Sequence, residues 1–559
     1  FYNGKYQMTN PEYISKPEKL DTIKQIMPKY SISRELNEKI YNKLLQKVLD
    51  DLEDFEEWYH EDIIKKLNLK SWKNSIQKIH KLDNKIDTNS SYFRRLAFDE
   101  IISNLIILSN NRLKLKKHKK EPKKIKNILS SKLIKNLNFL LTNSQKKVIE
   151  EINSDLKSDK KMFRVLQGDV GSGKTIVSLI TVANVLENKK QCALMAPTEI
   201  LANQHYQLAK KFFLGCNLNI KLLTGKIRSS ERKMILNDLE NGKINFLIGT
   251  HSLFQEKINF KKLGYLIIDE QHKFGVSQRM KMSEKGGINC DVLLMSATPI
   301  PRTMMLTNYG DMDLSRIDEK PINRKKIITL SKPSIKVNEI YTFIKKNVKD
   351  GGQIFWVCPL IEESTKLDYM SAKKRFIKIK KDLNCKVALI HGSTDQEEKN
   401  QVLKKFLEKK IDILVSTTVI EVGVDFPNAN VIVIENSEKF GLAQLHQLRG
   451  RVGRGNKQSY CILMYKNSLS KNAFNRLKIL RKSDDGFFIA DEDLKLRGFG
   501  DIIGYQQSGE KYFKIANPIV HEDLFNAAEK YIRDIEKKNI SLSRYNSLLK
   551  LFDKTEIIN

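Results

Sequence analysis

The sequence predicts an α/β protein in which two parallel-sheet units follow one another, with a helical region before them and a helical extension after them. Short apolar runs alternate with helical stretches from Met162 onward, which is typical of a parallel sheet with crossover helices. The alternation starts again after Pro321. A chain of 559 residues is also too long for one hydrophobic core, so more than one domain is expected.

The apolar runs mark the expected strands. They are FRVLQ, CALMA, INFLIGT, LGYLIIDE and DVLLMSAT in the first unit, and GQIFWVCPL, KVALIHG, IDILVSTT, NVIVIEN and SYCILMY in the second. Continuous apolar runs of this length indicate strands that are buried on both faces. We expect the first unit to cover residues 128–320 and the second to cover residues 321–470.

The flanking regions have helical spacing. From Leu36 to Ile125 apolar residues recur at intervals of three and four, which predicts helices within a region spanning residues 21–127. Its basic run from Lys114 to Asn127 contains Pro122 and is interpreted as a solvated linker or exposed arm, with direct DNA contact as the alternative. Residues 471–559 are expected to be helical, with a glycine-rich interruption, RGFGDIIGYQQSG.

Composition points to a polyanionic partner and excludes several classes of protein. The chain has 99 Lys and Arg against 66 Asp and Glu, a net charge of +33, which favours binding to nucleic-acid phosphates over a merely compositional excess of Lys. No apolar run approaches the ~18 residues of a membrane span, and no secretory signal is visible. The six cysteines have no Cys-x-x-Cys spacing, which argues against a zinc ribbon and fits a cytoplasmic protein. The chain does not begin with Met, which is compatible with a fragment of a longer protein.

The segment GDVGSGKT is a complete phosphate-binding loop. It matches G-x-x-x-x-G-K-[ST], follows the strand-like run FRVLQ and opens the helix-like run TIVSLITVANVL. In such a loop backbone N–H groups surround phosphate oxygens, the lysine reaches the β- and γ-phosphates, and the hydroxyl binds Mg²⁺. We therefore predict ATP and Mg²⁺ as cofactors, held by Gly168, Gly171, Ser172, Gly173, Lys174 and Thr175.

Two adjacent carboxylates follow the apolar run LGYLII. Asp269 is placed to hold Mg²⁺, and Glu270 is placed to orient or deprotonate the attacking water. Two carboxylates at the end of a buried strand are costly unless a cation lies beside them. The alternative is that the two carboxylates cap a helix. A complete phosphate loop elsewhere in the same unit favours the role in binding Mg²⁺ and water over this alternative.

An arginine cluster, RGRVGR, lies in the second unit. Guanidinium groups stabilise charge on a transferring phosphoryl group, so Arg451 and Arg454 are predicted to complete the ATP site from the second unit. A direct contact to nucleic-acid phosphates is the alternative interpretation of the same arginines.

With these motifs the chain resembles superfamily 2 helicases, and the residues within the motifs resemble those of the RecG family. The matching segments are GDVGSGKT, MAPTEILANQH, IIDEQHKFGVSQR, SATPIPRT, WVCPLIEES, TTVIEVGVDFPNA and LAQLHQLRGRVGRG. The resemblance covers Phe139 to Gly509 and implies that both units are RecA-like lobes. It also implies that the segment from Gly486 to Gly509 is a translocation hairpin.

The resemblance assigns further residues. It implies that Phe139 and Gln145 contact adenine and that Gly423 and Asp425 belong to the nucleotide site. In the hairpin, Gly498 and Gly500 are expected to allow sharp turns. Residues implied in contacting or moving nucleic acid are Thr198, Thr224, Gly225, Thr250, Thr417, Thr418, Arg497, Gln506 and Gln507.

The function that the resemblance implies is that of an ATP-dependent DNA helicase acting, as a monomer, on forks and Holliday junctions in recombination and repair. Residues 1–20 resemble the end of the family's wedge domain, a barrel of about five strands that so few residues cannot form. Three alternatives stay open: a transcription-repair coupling translocase, a DEAD-box RNA helicase, and a basic nucleic-acid-binding scaffold without activity.

Overall fold

The structure, a computed structural model, divides the chain into two compact units. The first comprises Phe1–Asn110, Leu306–Asn308 and Ile503–Asn559, and the second comprises Asn111–Met305 and Tyr309–Ile502. The residues that the structure describes are 8, 16–19, 30, 38–81, 87–117, 119–225, 227–254, 258–270, 287–297, 299, 301, 304–305, 312–321, 325–359, 365–417, 426–455, 457–466, 468–502, 513–538 and 540–552.

The helices and strands are numbered here in chain order. The helices are α1 Glu38–Asp50, α2 Glu61–Leu67, α3 Trp72–His80, α4 Ser91–Lys117, α5 Ile128–Lys135, α6 Asn143–Lys157, α7 Lys174–Leu186, α8 Glu199–Phe212, α9 Ser229–Glu240, α10 Val337–Lys349, α11 Thr365–Leu383, α12 Gln396–Leu407, α13 Leu442–Arg449, α14 Lys471–Lys482, α15 Gly486–Ile502, α16 Glu522–Lys537 and α17 Asn546–Leu551. The strands are β1 Phe163–Gly168, β2 Gln191–Met195, β3 Ile220–Leu223, β4 Phe246–Gly249, β5 Leu263–Ile268, β6 Asp291–Ser296, β7 Asp313–Ile317, β8 Ile328–Pro333, β9 Gln353–Val357, β10 Val387–Ile390, β11 Ile413–Ser416, β12 Ala429–Ile434 and β13 Tyr460–Tyr465.

The first unit contains a buried polar cluster on α4. Arg95 donates from Nε to Asp99 at 3.0 Å and from Nη1 to Glu57 at 2.8 Å, and its guanidinium lies over the rings of Trp58 and Tyr59. Burial raises the pKa of the Asp99 carboxyl to about 6, although Arg95 opposes the rise. A buried arginine needs carboxylate partners, so this cluster determines how the preceding segment packs.

The helical spacing predicted through Tyr59 is wrong for residues 51–60. This segment is neither helix nor strand, and it brings Glu57, Trp58 and Tyr59 onto α4. The tertiary contacts of Arg95 outweigh the local apolar spacing, because a helix propensity is only a weak preference.

The second unit contains two parallel sheets, so the predicted fold class is confirmed. In the described residues one sheet has seven strands in the order β3-β4-β2-β5-β6-β1-β7, and the other has six in the order β10-β11-β9-β12-β13-β8. The central strands β2, β5, β6, β9 and β12 are buried almost throughout, as expected when helices cover both faces. Separate apolar cores fill the two faces of each sheet.

Ten of the strands coincide with the apolar runs of the sequence, and three do not. The three without a predicted counterpart are β3, β7 and β8, which lie at sheet edges. Exposed positions interrupt β3 and β8, and half-buried positions interrupt β7, so these three strands lack the continuous buried apolar run that marks a central strand.

The interpretation of residues 114–127 as a solvated arm is wrong for two of its lysines. Lys120 and Lys123 are buried and both donate to the carboxylate of Asp291 at the start of β6, at 2.7 and 2.5 Å. The backbone N–H of Met162 donates to the same carboxylate at 2.7 Å. The segment is therefore attached to the first sheet by a buried ion-pair cluster.

Asp291→Asn is expected to lower the free energy of unfolding by about 3–5 kcal/mol, because removing one partner leaves buried ammonium groups uncompensated. Chemical denaturation measures this change. The matched control is Asp238→Asn, whose partner Lys243 is 3.5 Å away and largely exposed, and its effect is expected to stay below about 1 kcal/mol. Equal effects of the two substitutions would contradict a structural role for the buried cluster.

Two further findings concern the described residues only. None of their helices combines the length and the apolar character that a membrane crossing requires. All six cysteines have free thiols.

Candidate active site

The phosphate loop connects β1 to α7 with two glycines in the left-handed region. Gly171 has φ 75° and Gly173 has φ 89°. A Cβ atom on Gly173 would lie 2.4 Å from Nε2 of Gln145, so both conformation and space require glycine there. This conformation turns successive N–H groups toward one point at the start of α7, which suits an anion.

The side chain of Lys174, the first residue of α7, folds back onto the phosphate loop. Its Nζ donates to the carbonyl oxygens of Gly168 at 2.8 Å and Asp169 at 3.0 Å. Burial lowers the pKa of this ammonium group, while the negative charges of Glu270 and Asp269 oppose the decrease. The lysine is thus held where phosphate oxygens would meet it.

The two carboxylates follow β5, as the sequence predicts, and each is held in a defined position. Asp269 contacts Nε2 of His205 through Oδ2 at 2.8 Å and accepts the N–H of Glu270 through Oδ1 at 3.0 Å. Glu270 has φ 51°, an unfavourable conformation that costs a non-glycine residue about 1–3 kcal/mol. Burial and the charge of Asp269 raise the pKa of Glu270, which makes its carboxylate a stronger proton acceptor.

The second sheet contributes cations to the same place. Arg451 and Arg454, just after α13, line a cavity of about 220 Å³ together with Lys174, Thr175 and Glu270. A Cβ atom on Gly450 would lie 3.0 Å from Val170 of the phosphate loop, so the two sheets approach closely beside the cavity. The structure thus brings together residues that are about 280 positions apart in the chain.

The residues around the cavity fit a nucleotide triphosphate with a divalent cation. Ser172 has a buried hydroxyl oxygen without a hydrogen-bond partner in the described structure, and it lies next to the left-handed glycines. The carboxylate of Asp269 and the hydroxyl of Thr175 line the same cavity and would supply oxygen ligands to such a cation. No group of three or more His, Cys, Asp or Glu side chains that could hold a metal ion occurs among the described residues. Mg²⁺ bound through one or two carboxylates plus phosphate oxygens needs no such group.

The predicted adenine residues occupy different environments. Gln145 is buried, and its amide is used within the protein: Oε1 accepts from the N–H of Thr142 and Nε2 donates to the carbonyl of Ser172 at 2.8 Å. Gln145 therefore supports the phosphate loop and caps α6. Phe139 is 38% exposed and presents a ring for stacking. Contact with adenine stays a prediction for both.

The predicted DNA-contacting residues of the first lobe follow neighbouring strands. Thr198 comes after β2, Thr224 and Gly225 after β3, and Thr250 after β4, so all lie at the carboxyl edge of one parallel sheet. Thr198 also caps α8 by accepting from the N–H of Leu201.

Thr417 follows β11 in the second lobe and is fully buried. Its hydroxyl is enclosed by protein, so the described conformation offers no direct DNA contact at this residue. That role of Thr417 stays a prediction.

Several predicted residues lie outside the described structure. They are Thr418, Gly423, Asp425, Gln506 and Gln507, together with the side chain of Arg497. Gly498 and Gly500 lie inside α15, so the expectation that they form sharp turns is wrong.

Two polar residues at the site had no role in the sequence-based prediction. Gln447 lines the cavity from α13, and His205 on α8 also lines it and holds the carboxylate of Asp269. Gln447 lies inside the matching segment LAQLHQLRGRVGRG, so its place beside the arginines could have indicated a position at the site. His205 is the last residue of the matching segment MAPTEILANQH, but only the fold shows that it meets Asp269.

Family comparisons agree with this arrangement along the chain. Residues 142–306 match the family described as DEAD/DEAH box helicase, and residues 335–456 match the helicase conserved C-terminal domain. Residues 483–546 match the family described as ATP-dependent DNA helicase RecG, domain 3, C-terminal.

Individual proteins match over nearly the whole chain. The ATP-dependent DNA helicase RecG of Thermotoga maritima is 42% identical over 98% of this chain and 70% of its own length. The helicase of the same name from Aquifex aeolicus is 40% identical over 99% of this chain and 72% of its own. A solved structure of RecG bound to a three-way DNA junction is 40% identical and superposes with a TM-score of 0.71, covering 92% of this chain and 67% of that one.

Proposed function

Because the chain belongs to the RecG family of ATP-dependent DNA helicases, we propose that it uses Mg²⁺-bound ATP to move on and unwind branched DNA during recombination and repair. Its relative was solved on a three-way junction, which supports branched DNA as the substrate. Family membership argues against a transcription-repair coupling translocase and an RNA helicase. The presence of Lys174, Glu270 and Arg454 around one cavity argues against an inactive scaffold.

The observation that carries the catalytic proposal is the cavity between the two sheets. Lys174 and the loop N–H groups would bind the β- and γ-phosphates of ATP, and Thr175 with Asp269 would hold Mg²⁺. Glu270 accepts a proton from the attacking water, whose oxygen forms a bond to the γ-phosphorus while the bond to the bridging oxygen breaks. Arg451 and Arg454 stabilise the charge that develops on the transferring group.

DNA contacts are proposed at the carboxyl edges of the two sheets, through Thr198, Thr224, Gly225 and Thr250 in the first and Thr417 and Thr418 in the second. For the buried Thr417 this contact requires a conformation other than the described one. The net charge of +33 supports contacts to the phosphates of DNA rather than to the edges of its bases. Arg497, Gln506 and Gln507 are retained as proposed translocation residues.

The domain boundaries are retained as a proposal as well. Residues 1–20 belong to the wedge domain, 21–127 to the helical region, 128–320 and 321–470 to the two lobes, and 471–559 to the translocation segment and helical extension. The two sheets, β1 to β7 and β8 to β13, support the division between the lobes.

We also propose that the protein works as a monomer in the cytoplasm. One chain supplies both the phosphate loop and the arginines of the cavity, so the site needs no residue from a second copy. Six free thiols suit a reducing compartment.

The experiment that tests the function is ATP hydrolysis measured without DNA and with single-stranded, linear duplex, forked and four-way DNA. Hydrolysis is expected to rise most with the forked and four-way substrates, and strand separation of these substrates is expected to depend on ATP. Equal rates with all substrates, including none, would contradict an activity directed at branched DNA.

A further inference from the structure

The inner face of α8 carries one polar side chain among apolar ones. Its buried residues are Leu201, Ala202, His205 and Ala209. The three apolar residues belong to the core that covers one face of the first sheet, so apolar packing holds α8 in place. His205 is 5% exposed, and a buried imidazole in these surroundings needs a hydrogen-bond partner.

The partner of this imidazole is the carboxylate that follows β5. Nε2 of His205 lies 2.8 Å from Oδ2 of Asp269, and both residues line the cavity. A carboxylate that binds a divalent cation is ionised, and an ionised carboxylate only accepts hydrogen bonds. The proton of this bond therefore lies on Nε2, and the imidazole donates to Asp269.

Both oxygens of Asp269 are held by protein donors. Oδ1 accepts the backbone N–H of Glu270 at 3.0 Å, while Oδ2 accepts from His205. A carboxylate held at one oxygen can still rotate about its Cβ–Cγ bond, and the second donor prevents this rotation. The two bonds use two of the roughly four acceptor positions of a carboxylate, and a cation in the cavity would use the others.

We propose that His205 is a positioning residue for Mg²⁺, which holds the carboxylate of Asp269 in the orientation that binds the metal and so sets the Mg²⁺ affinity of the site. The inference rests on the proposed ATP-dependent function. Mg²⁺ prefers oxygen ligands and keeps several waters, so the imidazole acts through Asp269 and not as a ligand. Hydrogen-bonding partners of metal ligands typically contribute about 10–100-fold to metal affinity.

A purely structural role for His205 is the competing explanation. A buried histidine that only satisfies its neighbour would lower stability when it is removed, and it would weaken nucleotide binding with and without the metal. Positioning of Asp269 predicts a different pattern, because Asp269 acts on the nucleotide through Mg²⁺. Loss of His205 then weakens the binding of ATP in the presence of Mg²⁺ and leaves the binding of metal-free ATP unchanged.

The test is a matched pair of substitutions at His205. The amide nitrogen of glutamine reaches about as far as Nε2 of histidine, so His205→Gln keeps the donor, whereas His205→Leu has a similar volume and removes it. Affinity for a non-hydrolysable ATP analogue is measured with Mg²⁺ and in EDTA, and the ratio of the two affinities gives the contribution of the metal. For His205→Leu this ratio is expected to fall by about tenfold or more, with affinity in EDTA unchanged. His205→Gln is expected to restore the wild-type ratio.

Direct binding of Mn²⁺ provides a second measurement that does not depend on catalysis. Mn²⁺ is bound by the same kinds of oxygen ligand, and the EPR signal of the free ion shows how much is bound to the protein with the ATP analogue. The dissociation constant of Mn²⁺ is expected to rise about 10–100-fold in His205→Leu and to keep its wild-type value in Gln207→Leu. Gln207 is the matched control because it is an exposed residue of the same helix.

A further variant covers the case in which His205→Leu does not fold, as judged by thermal unfolding. His205→Asn keeps an amide that is too short to reach Asp269, and we expect the same decrease in the affinity ratio. A wild-type ratio in the folded variants, or an equal loss of affinity with Mg²⁺ and in EDTA, would overturn the proposal. A wild-type protein that neither hydrolyses ATP nor binds the analogue more tightly with Mg²⁺ would instead refute the proposed function itself.

Discussion

Arg454→Ala is expected to slow ATP hydrolysis at saturating ATP by about 10³-fold or more, the effect of losing an arginine finger, while ATP affinity changes little. The reason is the position of Arg454, which lies on the second lobe and faces the phosphate loop of the first across the cavity. Charge spreads over the γ-phosphoryl oxygens only in the transition state, so a guanidinium placed there lowers kcat selectively.

Equilibrium nucleotide binding and steady-state hydrolysis measured on the same variant separate the two effects. Arg481→Ala is the matched control, because Arg481 is an exposed arginine at the end of α14. A loss of ATP affinity with unchanged turnover at saturation would mean that Arg454 binds the ground state and is not a finger.

Lys174→Ala is expected to reduce hydrolysis by at least ~10²-fold, as for removal of a group that stabilises the transition state. In contrast to Arg454, Lys174 belongs to the phosphate loop itself and contacts phosphate before the reaction begins. The substitution should therefore weaken ATP binding as well as turnover. It also leaves the carbonyls of Gly168 and Asp169 without their shared donor.

The control for Lys174→Ala is the substitution of a lysine of the same lobe that lies outside the cavity. Lys157 at the end of α6 is exposed, and Lys157→Ala is expected to hydrolyse ATP at the wild-type rate. Wild-type hydrolysis by Lys174→Ala would refute the nucleotide site. Loss of activity in both variants would point to an effect of charge or folding rather than of position.

Together the two substitutions distinguish the contributions of the lobes. A variant of the first lobe should bind ATP poorly, and a variant of the second should bind it and fail to hydrolyse it. This difference follows from the cavity, to which one lobe contributes the phosphate loop and the other contributes Arg451 and Arg454.

Much of the site was predictable because its parts are local motifs. Eight consecutive residues form the phosphate loop, so its conformation depends mainly on its own glycines. Asp269 and Glu270 directly follow a buried strand, and a long apolar run is the pattern that sequence analysis detects best. The role of Arg454 was predicted from glycine-spaced arginines, and the fold supports that prediction because it places Arg454 on the cavity beside Lys174.

The errors arose where partners are far apart in the chain. Lys120 and Lys123 resemble a solvated run until Asp291, about 170 residues later, is placed beside them. Residues 51–60 have helical spacing, but contacts to Arg95 determine their path. His205 could not be linked to Asp269, since no spacing rule connects α8 to the end of β5.

By itself the sequence determined the fold class, the nucleotide chemistry and the family, because each is encoded in contiguous segments whose conformation is mainly local. Only the tertiary structure decided which carboxylate His205 holds and which lysines are buried. These contacts join residues from separate strands and helices, and their partners are selected by packing, burial and the need to satisfy buried polar groups. Such requirements exist only after the chain has folded.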